Sequence, residues 1–518
     1  MGNYFLGLDY GTGSCKGCII DEQANVLSYA NREYKILTNA QGYSEHDATV
    51  YWPLTCEIIR ECIAKAGISP DEIRGIGTSS ALPSIVMIDR DGNTVNNAYN
   101  LMDRRAYREK EYLEELFGND LIYEISKNNI ADHPILVNML WEKKHCPEDF
   151  SRIFKVLTID GYIRYKLTGS TLAHYSAGTF YGVAYNLLER RFDREILDRI
   201  GIPLDILPEF CRCEDIVGTV TDAAAAESGL TPGIPVAGGQ VDCNAGWVGG
   251  GATQVGDIQM NLGTCGNFGV IHRGESFIRE MFNIPYTTDS ENEYCTITTT
   301  MTGGQVLRYL KENFAELECA ASELLPDTDA YDLLNMEAEK IPVGSDGLIV
   351  LPYLMGERTP IWDNEARGCV FGMSLHHTKA HMVRAFMEGV AYALYDSYLY
   401  YLDAGIKINY PLVMNEGGAK SKLWRRIITD VFNVPTVFVE SRVGAPFGDA
   451  LLAAVATGYM KDYSIAKEKT HYIDPMEPIA ENHEQYMRLF RIYRNIYQHV
   501  KSDYKDLAGV MRERTEAK

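Results

Sequence analysis

Four short segments of the chain carry residue types whose spacing suits work on phosphate groups. Near the start, Asp9-Tyr-Gly-Thr-Gly-Ser14-Cys-Lys16 sets a carboxylate beside a turn of small residues. Gly11 and Gly13 expose backbone amides, Thr12 and Ser14 add hydroxyls, and Lys16 adds a positive charge. Such a nest of donors cradles phosphate, and a carboxylate at its edge can hold Mg2+ directly or through water. One turn of this kind is as easily an ordinary hairpin turn. It is not Gly-x4-Gly-Lys-Ser/Thr, so a P-loop fold is unsupported. A second copy shifts the balance: Gly263-Thr264-Cys-Gly266 sits between two apolar, β-rich runs about half the chain further on. Two such turns can grip phosphates from two sides.

The other two segments follow predicted strands. Gly238-Gly-Gln-Val-Asp242-Cys-Asn244 comes after the apolar run Ile234–Ala237 and before a helix. An acid there can act as general base toward a hydroxyl that attacks phosphorus. It can equally cap the helix, which is the commoner use. Asn415-Glu-Gly417-Gly418-Ala419-Lys-Ser421 follows Pro411–Met414 and precedes an amphipathic helix containing Trp424. Glycines at such a junction let a flat ring lie on the backbone, whereas a helix cap by Ser421 is the plainer alternative.

These segments need a frame that holds them, and the remaining pattern describes one. Strand, turn and strand fill the first thirty residues, and the same arrangement recurs at Asp257–His272, which suggests two related halves. Between and after the hairpins, helical stretches such as Val50–Ala66, His381–Leu402, Leu423–Phe432 and Gly448–Thr457 alternate with short apolar strands, the mark of an α/β protein. The Gly-rich run Gly246–Gly256 reads as a flexible crossover. Division at 1–252, 253–480 and a helical tail 481–518 follows, with the tail packed on the outside.

Composition narrows the work such a chain can do. The 518 residues carry 71 acidic and 49 basic side chains, a net charge of −22. That surface repels phosphate backbones and anionic lipids, so neither nucleic acid nor a membrane surface is an expected partner. No apolar run approaches the ~20 residues of a membrane span. The twelve cysteines are scattered without a disulfide framework. Cys15 and Cys18 have metal-like spacing, but strand alternation puts them on opposite faces. His376, His377 and His381 read as surface histidines entering a helix. Tyr392–Tyr401 has helical spacing and reads as core or interface. A cytoplasmic protein is expected.

Taken together and in order, these segments resemble the FGGY carbohydrate kinases, relatives of hexokinase and actin. The first turn, Gly-Gly-Gln-Val-Asp242, Asn-Leu-Gly263-Thr and Gly417-Gly-Ala-Lys-Ser…Trp424…Asp430-Val are similar to that family's phosphate, catalytic and adenosine motifs. Tyr353-Leu-Met-Gly-Glu-Arg-Thr-Pro-Ile-Trp362 resembles a pentulose-kinase segment, and Gly368-Cys-Val-Phe-Gly372-Met through Glu388 nearly follows a family signature. The resemblance implies two ribonuclease-H-like domains with an interdomain cleft, ATP and Mg2+ as cofactors, and a small sugar as substrate. It assigns Asp242 as general base and Asp9 with Asp242 around Mg2+. Gly11, Thr12, Gly13, Ser14, Lys16, Gly263 and Thr264 would bind phosphates, and Gly417, Gly418, Ala419 and Ser421 the nucleoside. Ser79, Ser80, Asp103, Arg105, Asp242 and Asn244 would meet the sugar.

The departures bear on which sugar. Thr78-Ser-Ser-Ala-Leu-Pro83 stands where xylulose kinases carry Gln-Met-His-Gly, and Glu416 stands where the family usually has glycine. A ketopentose is the expected substrate. Autoinducer-2, a polyol, or a non-catalytic sensor on the same fold are the alternatives, and a homodimer is the assembly to test.

Overall fold

The computed structural model describes residues 2–39, 42–275, 277–325, 327–439 and 443–516. In chain order its main elements are β1 (Tyr4–Tyr10), β2 (Ser14–Asp21), β3 (Val26–Glu33), α1 (Tyr51–Ala66), β4 (Ile73–Ser80), α2 (Ile159–Thr168), β5 (Ile216–Thr219), β6 (Pro235–Ala237), β7 (Gln240–Val241) and α3 (Asp242–Gly249). There follow β8 (Asp257–Leu262), β9 (Gly266–His272), β10 (Tyr294–Thr300), α4 (Gln305–Phe314), α5 (Lys379–Asp403), β11 (Asn409–Asn415), α6 (Lys422–Phe432), β12 (Thr436–Val439), α7 (Ala445–Ala456), β13 (Tyr472–Met476) and α8 (Ala480–Glu516).

The chain forms two compact units. One takes Met1–Val255, Asn283–Cys295 and Arg442–Thr470; the other takes Gly256–Phe282, Thr296–Ser441 and His471–Lys518. Both therefore differ from a division into contiguous stretches at 252 and 480. Two later segments return to the first unit, and the C-terminal helix belongs to the second.

In the first unit the strand order is β5-β6-β4-β1-β2-β3. β1, β2 and β3 form an antiparallel meander, whereas β4 runs parallel to β1. The central strand reads as a nearly continuous apolar run because both of its faces are covered: Phe5, Leu6, Leu8 and Tyr10 are all buried. The second unit repeats the plan, with β8 and β9 an antiparallel hairpin and β11 parallel to β8. Each Gly-Thr turn is thus the first hairpin turn of its own sheet, as the repeat in the sequence suggests.

Helix α7 lies directly on the first sheet and on α3, and glycine makes that approach possible. A Cβ at Gly7 would stand 1.9 Å from the Pro446 carbonyl oxygen, one at Gly77 2.0 Å from that of Asp449, and one at Gly448 2.0 Å from that of Ala245. Phe447, Ala450, Leu451, Leu452, Ala453 and Ala454 bury the rest of the helix.

Two expectations change. The run from Gly246 is not all crossover, because α3 continues to Gly249. Nor is the tail an outside layer: Tyr486, Phe490 and Tyr493 of α8 are buried in the second core, where Tyr392 and Tyr395 of α5 pack against them. The tyrosine-rich stretch of α5 is core, with Tyr392, Tyr395, Tyr398 and Tyr401 all buried.

Gly7→Ala forces a methyl group into the backbone of α7 and should lower stability by about 1–3 kcal/mol or more, the range of an overpacked core. Gly13→Ala, where a Cβ meets nothing within 4 Å, should be nearly neutral. Urea unfolding of the two variants checks this, and an unchanged midpoint for Gly7→Ala would contradict the close packing.

Candidate active site

In the first unit the β1–β2 hairpin sets Asp9 directly across from Lys16. The Gly11 N–H donates to the Ser14 carbonyl at 2.9 Å and closes the turn. Asp9 is 2% exposed, and its two oxygens have separate partners: Lys16 Nζ donates to Oδ2 at 3.2 Å and Ser79 Oγ to Oδ1 at 3.1 Å. Asp9 holds the Lys16 ammonium above the usual lysine range, with a smaller contribution from Asp242. The lysine therefore feels both carboxylates.

Asp242 is the first residue of α3. Val241 occupies the cap position, and no side-chain cap bond is made. The half-buried Asp242 carboxylate thus sits in the first turn, at the positive end of the helix dipole. Two residues on, Asn244 is fully buried, with Nδ2 donating to the Pro285 carbonyl at 3.0 Å and Oδ1 without a hydrogen-bond partner.

The residues expected to meet a sugar are mostly braced from within. Ser79 and Ser80 are fully buried, and Ser80 Oγ donates to Asp160 Oδ1 at 2.6 Å. Asp160 is shared with His174 and paired to Arg164, and Arg164 in turn reaches Thr78 Oγ1. Asp103 accepts from the Ser44 N–H at 2.8 Å and from Arg105 Nη2 at 2.8 Å. The Arg105 guanidinium also pairs with Glu45 and lies 3.7 Å from the Tyr99 ring centroid and 4.0 Å from that of Tyr43. All four residues thus have protein partners for their polar atoms.

The second unit holds a cavity of about 440 Å3 within the usual size of a small-molecule site. Gly263, Thr264, Gly417, Gly418 and Ser421 line it, as the sequence suggests. The Gly303 and Gly304 amides donate to the Thr264 and Gly263 carbonyls at 2.9 and 2.6 Å, pinning the second Gly-Thr turn to the entry of α4. Ser421 is also the cap of α6: its Oγ accepts from the Trp424 N–H at 3.1 Å and donates to Asn335 Oδ1 at 2.6 Å. Ala419 is the exception. It is fully buried and outside the lining, its carbonyl accepting from Arg425 Nη1.

Sequence reasoning missed Gln305, Arg308, Tyr331, Asn335 and Lys420, which also line it together with the acids Asp329 and Asp332. The Gly303-Gly304 pair ahead of an amphipathic helix was the available signal for the first two. Tyr331 and Asn335 come from a helix, Ala330–Ala338, whose own pattern announces only a capped surface helix.

The Glu-Arg-Thr-Pro segment lies within the second unit as a buried stitch. The Met301 and Arg358 amides donate to Glu357 Oε1 at 2.8 and 2.7 Å, and the Thr299 N–H donates to Thr359 Oγ1 at 2.8 Å. Glu357 Oε2 is buried without a hydrogen-bond partner, and burial pushes this carboxyl up to about 8.

The cysteines and histidines singled out in the sequence have protein surroundings of their own. Cys15 and Cys18 are buried free thiols, and burial pushes the Cys15 thiol up to about 12. Nδ1 of His377 and of His381 accepts a backbone N–H, from Ser374 and Thr378 respectively, so these rings organise the entry to α5. Among the described residues no group of three or more His, Cys, Asp or Glu side chains could hold a metal alone, and no helix is long and apolar enough to cross a membrane.

Comparison with known proteins gives this arrangement its context. Residues 4–249 match the model of the FGGY family of carbohydrate kinases, N-terminal domain, and residues 259–457 match that of the C-terminal domain. The xylulose kinase of Bacillus subtilis (strain 168) is 30% identical over 504 residues, covering 96% of this chain and 97% of the relative. The gluconokinase of the same organism is 27% identical over 525 residues, covering 99% of each. Among solved structures, the xylulose kinase from Rhodospirillum rubrum superposes with a TM-score of 0.88 at 24% identity, covering 97% of this chain and 100% of that one. The two-domain α/β fold expected from the sequence is the one these proteins share.

The buried Glu357 yields a pH prediction. Its folded-state value, about 8, lies above the ordinary 4.5, so between those limits the folded chain holds the proton more tightly than the unfolded chain. Stability should therefore fall as pH rises through that window, by up to about 1.4 kcal/mol per pH unit, and level off above it. Glu357→Gln should flatten this part of the profile and be the more stable form at pH 8. Unfolding midpoints of both proteins across the window provide the check, and parallel profiles would contradict it.

Proposed function

The chain belongs to the FGGY family of carbohydrate kinases, ATP-dependent phosphotransferases, and from that premise we propose that it phosphorylates a terminal hydroxyl of a ketopentose of the xylulose or ribulose type. The observation that carries the mechanism is the placement of Asp242. It is a carboxylate at the first position of a helix, with its charge felt by the same lysine that pairs with Asp9.

In this reading Asp242 takes the proton from the attacking hydroxyl, worth ~10²–10⁴ in rate. The dipole of α3 holds the carboxylate in place before that step. The amides of the Gly-Thr turns, with Thr12 and Thr264, donate to the phosphate oxygens, and the cavity at Gly417 and Gly418 takes the nucleoside. Ser79, Ser80, Asp103 and Arg105 shape the sugar site from behind. A reaction fed by ATP in this way fits the cytoplasm.

The donor set suits Mg2+. This ion keeps most of its waters and is usually held by one or two carboxylates together with substrate phosphates. Asp9 and Asp242 offer that number, and the ammonium of Lys16 already marks the carboxylate of Asp9 as a seat for positive charge. When bound, the ion neutralises charge on the transferring phosphoryl group.

Support for a ketopentose comes from the relatives named xylulose kinase, while the relatives named gluconokinase keep sugar acids in the test. ADP release with MgATP should be measured across D-xylulose, D-ribulose, L-ribulose, L-xylulose, erythritol, glycerol, gluconate and the autoinducer-2 precursor. One pentulose should dominate. A stronger response to gluconate or a polyol overturns the substrate assignment. On the best substrate, Asp242→Asn should retain nucleotide binding and lose ~10²–10⁴ in turnover. Undiminished turnover would remove Asp242 from the mechanism.

A further inference from the structure

Helix α7 buries one acid among apolar residues. Asp449 is fully buried, and its hydrogen-bond partners are two side chains of the first sheet. Gln240 Nε2 donates to Asp449 Oδ1 at 2.9 Å, and Ser79 Oγ lies 2.7 Å from Asp449 Oδ2. That same Ser79 oxygen lies 3.1 Å from Asp9 Oδ1.

A hydroxyl has one hydrogen, and here it sits between two carboxyl groups. One of them must bring its own. Asp9 already has the Lys16 ammonium as a partner, 3.2 Å from its other oxygen. Asp449 faces only the Gln240 amide and the hydroxyl. The proton therefore belongs to Asp449, and burial together with the charge of Asp9 holds its carboxyl well above the usual range. The bonds then run in one direction: the Gln240 amide donates to Asp449, Asp449 Oδ2–H donates to Ser79, and Ser79 Oγ–H donates to Asp9.

The partners belong to two strands that deliver the proposed reacting groups. Gln240 pairs with Ser79 across β7 and β4, and Asp242 follows one residue after β7 ends its pairing at Val241. β4 in turn runs parallel to β1 with Ser79 opposite Asp9. A helix wanted only for packing has no use for an acid here, because a buried carboxyl must recover its lost hydration through such bonds.

We propose that Asp449 is a positioning residue of the phosphoryl-transfer site, a buried carboxylic acid that ties Ser79 to Gln240 and so fixes the carboxylate of Asp9 and the strand leading to Asp242. The proposal rests on the kinase reading given above. Supporting residues behind a metal-holding carboxylate typically change activity 10–100-fold when removed.

The test uses the full chain and the best sugar of the panel. Asp449→Asn keeps both bonds, its amide donating to Ser79 and accepting from Gln240, and should retain most of the turnover. Asp449→Leu should lose ~10–100-fold in kcat, with little change in the KM for ATP. Ser79→Ala breaks the link without disturbing α7 and should show the same split, which keeps the test open if the leucine variant fails to fold. Wild-type kcat in Ser79→Ala or Asp449→Leu overturns the proposal, as does an asparagine variant as impaired as the leucine one. Difference infrared spectroscopy of wild type against Asp449→Asn supplies an arm free of turnover. A protonated-carboxyl band lost in the variant supports the chain of bonds, and its absence from the wild type overturns it. Lack of turnover on every sugar would instead overturn the substrate reading.

Discussion

The contact on which the first unit depends is that of helix α7 against the bare backbone of β1 and β4. It exists only because Gly7 and Gly77 carry no side chain where the Pro446 and Asp449 carbonyls arrive. A helix this close to a sheet leaves no room for water, so any polar side chain on it must find protein partners. It also accounts for the path of the chain, since the segment containing α7 must return to the first unit after most of the second has been made. The ends of β1, β4 and β7, where the chemistry is proposed, all lie against this one rigid surface.

The two halves share a plan but not a charge. Two residues before the first Gly-Thr turn stands Asp9, paired across the hairpin with Lys16; two residues before the second stands Asn261, paired with Asn267. The same hairpin therefore supplies an ion pair in one unit and neutral amides in the other. The first turn brings a carboxylate and its counter-charge, while the second has neutral amides at the matching positions and the Glu416 carboxylate close by.

What could be read from the sequence was whatever is local. The Gly-Thr turns, the alternation of strands and helices and the acid after β7 depend on neighbours within a few residues, and each is where its pattern suggests. The surroundings that could not be read depend on distant partners. Ser79 looks like a ligand hydroxyl until its partner Asp449, 370 residues away, is in place. Arg105 looks like a free cation until Glu45, Tyr43 and Tyr99 enclose it. Ala419 belongs to a glycine-rich loop, but the short helix Glu416–Ala419 turns it inward. The apolar positions of α8 were visible as helical spacing, but a charged terminal helix gives no local sign that its tyrosines complete a core.

Glu416 shows the same rule beside the cavity of the second unit. Its φ of +70° lies in the left-handed region that costs a side-chain-bearing residue roughly 1–2 kcal/mol, and this is where the resembled family has glycine. The side chain lies over the second Gly-Thr turn so closely that a Cβ at Gly263 would stand 2.0 Å from Glu416 Oε2. The atom met is the end of a flexible side chain, so the contact sets the carboxylate beside the turn without by itself requiring glycine at 263. Gly418 is confined more firmly, by backbone, since a Cβ there would meet the Leu262 carbonyl at 2.8 Å. β8 with its turn and β11 with its short helix thus come closest where Gly418 carries no side chain. The strained Glu416 brings negative charge close to that turn, where the cavity lining sets two cations, Arg308 and Lys420, against two acids, Asp329 and Asp332.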